Sequence, residues 1–302
     1  STAYHMPQVI PMTYGANPET IQDILTRLIQ RHEALRTSFV QVDGEPVQRI
    51  ADSPEFRLDI ITLDPKSDKD LIFSSFIRPF ALDRAPLMRA ALVTGHDHST
   101  TLIVDMHHII SDGTSQSVLV GDFLDIASGR GLEPLSVQYK EFALWQQKSL
   151  ASGQNPPYVN YWLDMYNDAP ALPRVDLPID NSRPKVFSFK GEFASFVVER
   201  SIAEPFNETG SRGNATLFMN LLTAIDVLLY RVSGQDDIIV GCGTAGRPHA
   251  DLQKVIGMFI NILPMRNRVD GNASYKSLLE SVSRNALRSF ENQDMQFDML
   301  VE

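Results

Sequence analysis

The stretch from Thr101 to Gly113, TLIVDMHHIISDG, constrains the fold more than any other part of the chain. Its first half, Thr101 to Asp105, is a β-branched run that reads as a strand. Beyond Gly113, Val118, Leu119, Phe123, Leu124 and Ile126 recur at helical spacing, with Thr114 or Ser115 as the expected N-cap. A strand therefore hands over to a helix through His107, His108, Asp112 and Gly113. A strand end holds an imidazole rigidly, and Gly113 is read as permitting a backbone conformation that a Cβ would forbid. Histidine exchanges a proton near neutral pH, so this turn is where acid–base chemistry is expected.

Composition narrows the classes of function. Of 302 residues, 43% are hydrophobic and 21% charged, as in ordinary globular chains, and the length allows two domains. A net charge of -10 argues against a nucleic-acid surface, which needs clustered Lys and Arg. The lone cysteine, Cys242, excludes an internal disulfide and fits a reducing cytoplasm. No apolar run reaches the length of a membrane span, so no membrane partner is expected.

Elsewhere the chain reads as alternating helices and strands. A short strand is expected over residues 8–14, then a helix capped by Asn17 with Pro18 in its first turn and Ile21, Ile24, Leu25, Leu28 and Ile29 as its apolar face. Asp43-Gly44 predicts a hairpin turn. Gly95-His96-Asp97-His98 reads as a polar hairpin tip rather than a metal site, since no third ligand is evident. Residues 168–190, with Pro170, Pro173, Pro178 and Pro184, read as a linker, followed by a strand containing Phe193, Phe196, Val197 and Val198. Thr216 caps an apolar helix running to about Val232, and Ile238–Val240 is a buried strand. Gly241 to Gly246 has the letters of GxGxxG, but Arg247-Pro248-His249 follow instead of a helix, against a dinucleotide site.

These segments carry a family resemblance. Met106 to Ser115 resembles the His-His-x-x-x-Asp-Gly signature of nonribosomal peptide synthetase condensation domains, relatives of chloramphenicol acetyltransferase. Arg31-His32-Glu33-Ala34-Leu35-Arg36-Thr37-Ser38-Phe39 is similar to a second family motif. Tyr139-Lys140-Glu141-Phe142-Ala143-Leu144-Trp145 matches a third, with Glu141 where aspartate is usual. Ile256-Gly257-Met258-Phe259-Ile260-Asn261-Ile262 matches a fourth, with Ile262 in place of threonine. Phe80 to Arg89 and Asn292 to Asp298 are further similar stretches, the latter with Gln296 where proline is usual.

The resemblance implies an α/β fold of two chloramphenicol-acetyltransferase-like lobes in a V, with the active site in the channel between them. The expected lobes are residues 1–167 and 191–302, joined by 168–190, the second lacking its C-terminal part. The implied reaction is attack of an aminoacyl thioester's α-amine on an upstream acyl or peptidyl thioester. Both substrates would hang on 4'-phosphopantetheine arms of peptidyl carrier domains beside an adenylation domain, with no intrinsic cofactor or metal, in a monomeric module. His108 is implied as general base or as the group that orients the amine and steadies the intermediate. His107 is read as packed within its lobe, and Gly113 as offering a backbone N–H. Asp112 is implied to pair with Arg247, reaching across the lobes, in preference to a triad with His108. Arg36 is expected to be a structural pairing residue. Arg31 supports the site or simply ends a helix. Met258 and Asn261 are expected to line the channel. Thr114, where other subtypes have tryptophan, resembles the subtype that takes an L-configured donor. A heterocyclisation domain is excluded by the histidine pair, and no epimerisation motif is evident. A carrier-docking platform and a coenzyme-A acyltransferase are the rival readings.

Overall fold

The computed structural model describes residues 1–12, 16–63, 69–151, 156–167, 173, 175–182, 184–186, 188, 189 and 191–301. Chain contacts divide it into two units, one of Ser1–Gly153 with Arg247–Phe259, the other of Gln154–Gly246 with Ile260–Glu302.

The first unit contains β1 (His5–Met12), α1 (Pro18–Arg31), β2 (Thr37–Val42), β3 (Glu45–Ile50), β4 (Asp59–Thr62), α2 (Lys69–Phe76), β5 (Met88–Thr94), β6 (Thr100–His107), α3 (Gly113–Ala127) and α4 (Tyr139–Ala151). Four strands form one sheet in the order β1-β6-β5-β4. β6 pairs antiparallel with β1 and β5, so His5 faces His107, and Arg89 faces Asp105. Because strand side chains alternate, each face of β6 has its own character. The face bearing Leu102, Val104 and Met106 is buried in a core with Leu25, Leu28 and Ile29 of α1 and Leu119 of α3. Each such side chain contributes roughly 1.5–3 kcal/mol on burial. The opposite face bears Ile103, which clusters with Ala91, Val93, Leu63 and Phe76. α1 starts as the sequence predicts: Asn17 Oδ1 accepts the Glu19 N–H at 2.8 Å, with Pro18 in the first turn. Asp43 and Gly44 close the β2–β3 hairpin with φ of 52° and 87°, a conformation that glycine adopts without strain.

The second unit contains α5 (Pro157–Tyr166), α6 (Arg200–Arg212), α7 (Leu217–Ser233), β7 (Asp237–Thr244), β8 (Asn261–Arg268), α8 (Tyr275–Glu291) and α9 (Phe297–Val301). β7 and β8 are antiparallel partners. Trp162, Met219, Leu222, Ile238, Leu263, Met265, Val282 and Ala286 form its core. Thr216 caps α7 through the Met219 N–H, and Gly234 ends it at φ 73°. No single helix among the described residues is long and apolar enough to cross a membrane.

Several expectations change here. The division falls at Gly153/Gln154 rather than within 168–190, because α5 carries Trp162 into the second core, where its indole donates to Asn292 O. Pro170 and much of the expected linker lie outside the described residues. The segment 191–199 is not a strand: no strand pairs with it among the described residues, and Phe193, Phe196 and Val197 stay exposed. β7 is half-buried in alternation, Ile238 and Cys242 inward, rather than continuously buried. It runs through the glycine-rich letters to Thr244 before any helix begins, which removes the dinucleotide reading. At Gly95–His98, the Asp97 carboxylate accepts from the Ser99 N–H and Oγ, closing the turn.

The second core also holds a buried carboxyl. Asp226, on α7, accepts from Asn267 Nδ2 at 2.9 Å, while its Oδ1 has no hydrogen-bond partner among the described residues. Burial pushes this carboxyl up to about 7, against the pull of the Asn267 bond. A raised native pKa means that stability is fully present below the unfolded value of 3.8 and is lost as pH rises through about 7. Asp226→Asn is therefore expected to raise the unfolding free energy at pH 8 by up to ~4 kcal/mol and leave it little changed near pH 4. Urea unfolding of both proteins at the two pH values checks this; equal pH dependence would refute it.

Candidate active site

The first unit's sheet delivers the histidine pair. β6 ends at His107, and His108–Ile110 make one 3-10 turn before Ser111 and α3. Both histidine backbones are clamped by neighbouring chain: the His107 N–H donates to Leu87 O at 3.0 Å, and the His108 N–H to Tyr4 O at 2.8 Å. His107 Nδ1 accepts the Ile109 N–H at 3.0 Å, so in its neutral form the ring carries its proton on Nε2. Burial, then the neighbouring His5 and His108, push the His107 pKa down. His108 is half-buried in the turn itself.

Asp112 ends the turn and begins the helix. Its Oδ1 accepts the Ser115 N–H at 2.7 Å, so Asp112 is the N-cap, not Thr114 or Ser115. Gly113 is the first helical residue with open space where a Cβ would sit and no positive φ, so the expected need for glycine there is not met. The signature sequence places the best capping side chain two positions before Thr114, the nearer of the two residues expected.

The Asp112 carboxylate also receives Arg247. Arg247 Nη2 lies 2.9 Å and 3.1 Å from its two oxygens, and the side chains are only 1% and 3% exposed. Arg247 Nη1 donates to Leu252 O and Val255 O, and its guanidinium lies 4.0 Å above the Phe259 ring. The Phe259 N–H donates to Asp112 Oδ2 at 3.0 Å. Ser115 Oγ accepts from Arg247 Nη2 and the Gly257 N–H, and sits within reach of Asp112 Oδ1 and Gly257 O for its single proton. Arg247 and residues up to Phe259 belong to the first unit, so this pair is internal to it rather than a reach across lobes. The carboxylate is held by Ser115, Arg247 and Phe259; a triad with His108 is not formed among the described residues.

The third and fourth motifs meet in the same unit. Tyr139 Oη donates to Met258 O at 2.9 Å, and its ring packs edge-on against Phe259. A Cβ on Gly257 would lie 2.2 Å from the Tyr139 ring, so only glycine fits there. Glu141 accepts the Gln138 N–H, a helix-start contact.

The profile of the condensation-domain family matches residues 1–302. The chain belongs to that family. It is 40% identical to bacitracin synthase 2 of Bacillus licheniformis and 38% to gramicidin S synthase 2 of Brevibacillus brevis, in both over the whole of this chain. It spans 11% and 7% of those relatives' lengths. The condensation domain of the monacolin K polyketide synthase MokA has the same fold, with a TM-score of 0.87 at 20% identity over all of this chain and 71% of that one.

Other residues expected at a condensation-domain site lie elsewhere. Arg31 Nε and His32 Nε2 both bond Asp122 Oδ2 at 2.9 Å, tying α1 to α3. Arg36 donates to Ala51 O and lies 3.5 Å from Glu33, a structural pairing role. Met258 offers its carbonyl to Tyr139. Asn261, expected to line a channel, belongs to the second unit and is 7% exposed. Its Nδ2 is committed to Gln293 O and Met295 O, because the start of β8 needs a fastening to the turn after α8. Sequence reasoning took Ser115 as a possible N-cap and missed its role as the partner of Asp112, Arg247 and Gly257; its position three residues after Asp112, the spacing of an N-cap contact, was the available signal.

Removing one member of a buried ion pair strands the other, at a cost of about 3–5 kcal/mol. Arg247→Ala should lower the unfolding free energy by that amount. Adding Asp112→Asn should recover part of it, since the uncompensated charge is then gone. Urea titration of the single and double variants reads both effects; a loss under about 1 kcal/mol for Arg247→Ala would show that the pair does not hold this unit together.

Proposed function

We propose that this condensation domain forms amide bonds within a nonribosomal peptide synthetase. The acceptor's α-amine attacks the carbonyl carbon of an acyl or peptidyl thioester, preferably with an L-configured donor residue. Both substrates are presented on 4'-phosphopantetheine arms of peptidyl carrier domains, and an adenylation domain charges the acceptor. The reading is carried by one observation: His108 sits in a turn whose backbone is fastened to Tyr4 and whose end is fixed by Asp112, while that carboxylate is engaged elsewhere. Among the described residues His108 thus has no acidic side chain bonded to it.

Thioester aminolysis is intrinsically favourable, so holding the two arms in register supplies much of the rate. His108 accepts the proton that the attacking nitrogen loses, or fixes that nitrogen's lone pair toward the carbonyl carbon. Collapse of the tetrahedral intermediate breaks the carbon–sulfur bond, and the released thiolate takes up a proton. Asp112, Arg247 and Ser115 keep the turn in place without touching the reacting atoms. His107 and Gly113 flank it, one through the Ile109 N–H and the other as the first residue of α3.

The test uses a donor carrier loaded with an acyl-aminoacyl group, an acceptor carrier loaded with an amino acid, and intact-mass spectrometry of the acceptor. The acceptor should gain the mass of the donor group. His108→Ala should slow the gain by about 10²–10⁴-fold. Undiminished transfer by this variant would remove the proton-accepting role, and no transfer by the unaltered protein would overturn the amide-forming assignment.

A further inference from the structure

The face of the sheet opposite the α1/α3 core changes character along β6. Around Ile103 it is apolar, with Ala91, Val93, Leu63 and Phe76. Toward His107 it becomes polar: His5 stands opposite His107 and Arg89 opposite Asp105. His5 Nδ1 donates to Asp105 Oδ2 at 2.8 Å, with side chains 2% and 0% exposed. Arg89 Nε lies 3.7 Å from the same oxygen. The Phe80 ring stacks on His5 with centroids 5.0 Å apart, and the Arg89 guanidinium lies 3.8 Å from its centroid.

This arrangement carries a cost. His5 Nε2 and Asp105 Oδ1 are buried without hydrogen-bond partners among the described residues. Each such atom has lost its water without gaining a partner, a desolvation penalty that an apolar pair like that around Ile103 would avoid. The effect of the polar pair therefore has to be sought in what it touches, and the half-buried ring it touches is His107. The His5 ring meets His107 edge-on at 6.0 Å between centroids, Phe80 meets it edge-on at 6.2 Å, and Tyr4 lies tilted at 6.3 Å. His107 in turn holds Ile109 N–H on Nδ1, and Ile109 shares its 3-10 turn with His108. Protonating Nδ1 would break that bond. It would also place a cation beside His5 and His108, both of which disfavour it. The charged groups beside these rings are Asp105 and Arg89, with Arg78 acting on both and Asp59 on Arg89.

We propose that His5, braced by Asp105, is a positioning residue for the transfer reaction: it fixes the ring and the Nε2–H tautomer of His107, and through the Ile109 bond the turn that carries His108. The role rests on the amide-forming reading above. The contact with the reacting atoms belongs to His108.

The test is a long-range proton–nitrogen correlation experiment on the 302-residue protein labelled with ¹⁵N-histidine, from pH 5 to 8. The seven histidines are assigned by single His→Gln variants. In the unaltered protein His107 should remain an Nε2–H tautomer, with a midpoint below the ordinary histidine value. In His5→Gln that midpoint should rise by roughly half a unit or more. The rate of acceptor loading should fall about tenfold in kcat with KM little changed, and its acid limb should move with the His107 midpoint. An Nδ1–H tautomer, or a midpoint at or above the ordinary value in the unaltered protein, would overturn the proposal whether or not His5→Gln folds. An unmoved His107 signal in a folded His5→Gln would do the same. If the signal moves as expected but the unaltered protein transfers nothing at any pH, the coupling of the rings stands and the amide-forming reading, with the positioning role built on it, falls.

Discussion

A carboxylate and a guanidinium, both nearly out of water, join the strand–turn–helix of the histidine pair to a segment far along the chain. Taking each ion from water costs several kcal/mol, and their attraction offsets this only when remaining donors and acceptors are matched. Asp112 meets that condition through Ser115, Arg247 and the Phe259 N–H, and the Arg247 Nη atoms through two carbonyls as well. Asp112 is also the N-cap of α3, so the charge pair and the helix start share one side chain. The turn bearing His108 lies between that fixed point and the end of β6, where both neighbouring strands hold it. Displacing the carboxylate would loosen the cap, the turn and the 247–259 segment together.

β6 thus separates two tasks. One side of it is an apolar core of leucines, isoleucines and methionine that supplies stability. The other side ends in a compact polar cluster whose members contact the first histidine. The division comes from strand alternation, which sends Met106 to one layer and Asp105 and His107 to the other. Two chemically opposed environments are built from adjacent residues without any break in the sheet.

Local patterns were legible. The strand before His107, the helix after Gly113, the Asn17 and Thr216 caps and the Asp43-Gly44 turn all depend on neighbours within a few residues. The cap of α3 was misplaced because helical spacing of apolar residues locates a helix but not its first turn; only the hydrogen bond from Ser115 to Asp112 does. Residues 193–198 have strand-like letters, yet a strand is defined by a partner, and that information is not local. The unit boundary was misjudged for a similar reason. Proline density marks extended chain, whereas the boundary depends on which core receives Trp162. Arg247 and Asp112 could be paired from the family resemblance, but the contact of His5 with Asp105 spans 100 residues and has no local signature.

The first unit is discontinuous in sequence, since Arg247–Phe259 belongs to it. That fact orders events during synthesis. Asp112 precedes its counter-ion by 135 residues, a delay of about 7–27 s at roughly 5–20 residues per second. Until Arg247 leaves the ribosome, the Asp112 carboxylate keeps its water, and Ser115 has neither Arg247 nor Gly257 to engage. The histidine turn, made before its partner segment, thus sets only after that segment arrives, and the second unit's α5, α6, α7 and β7 are translated in the interval.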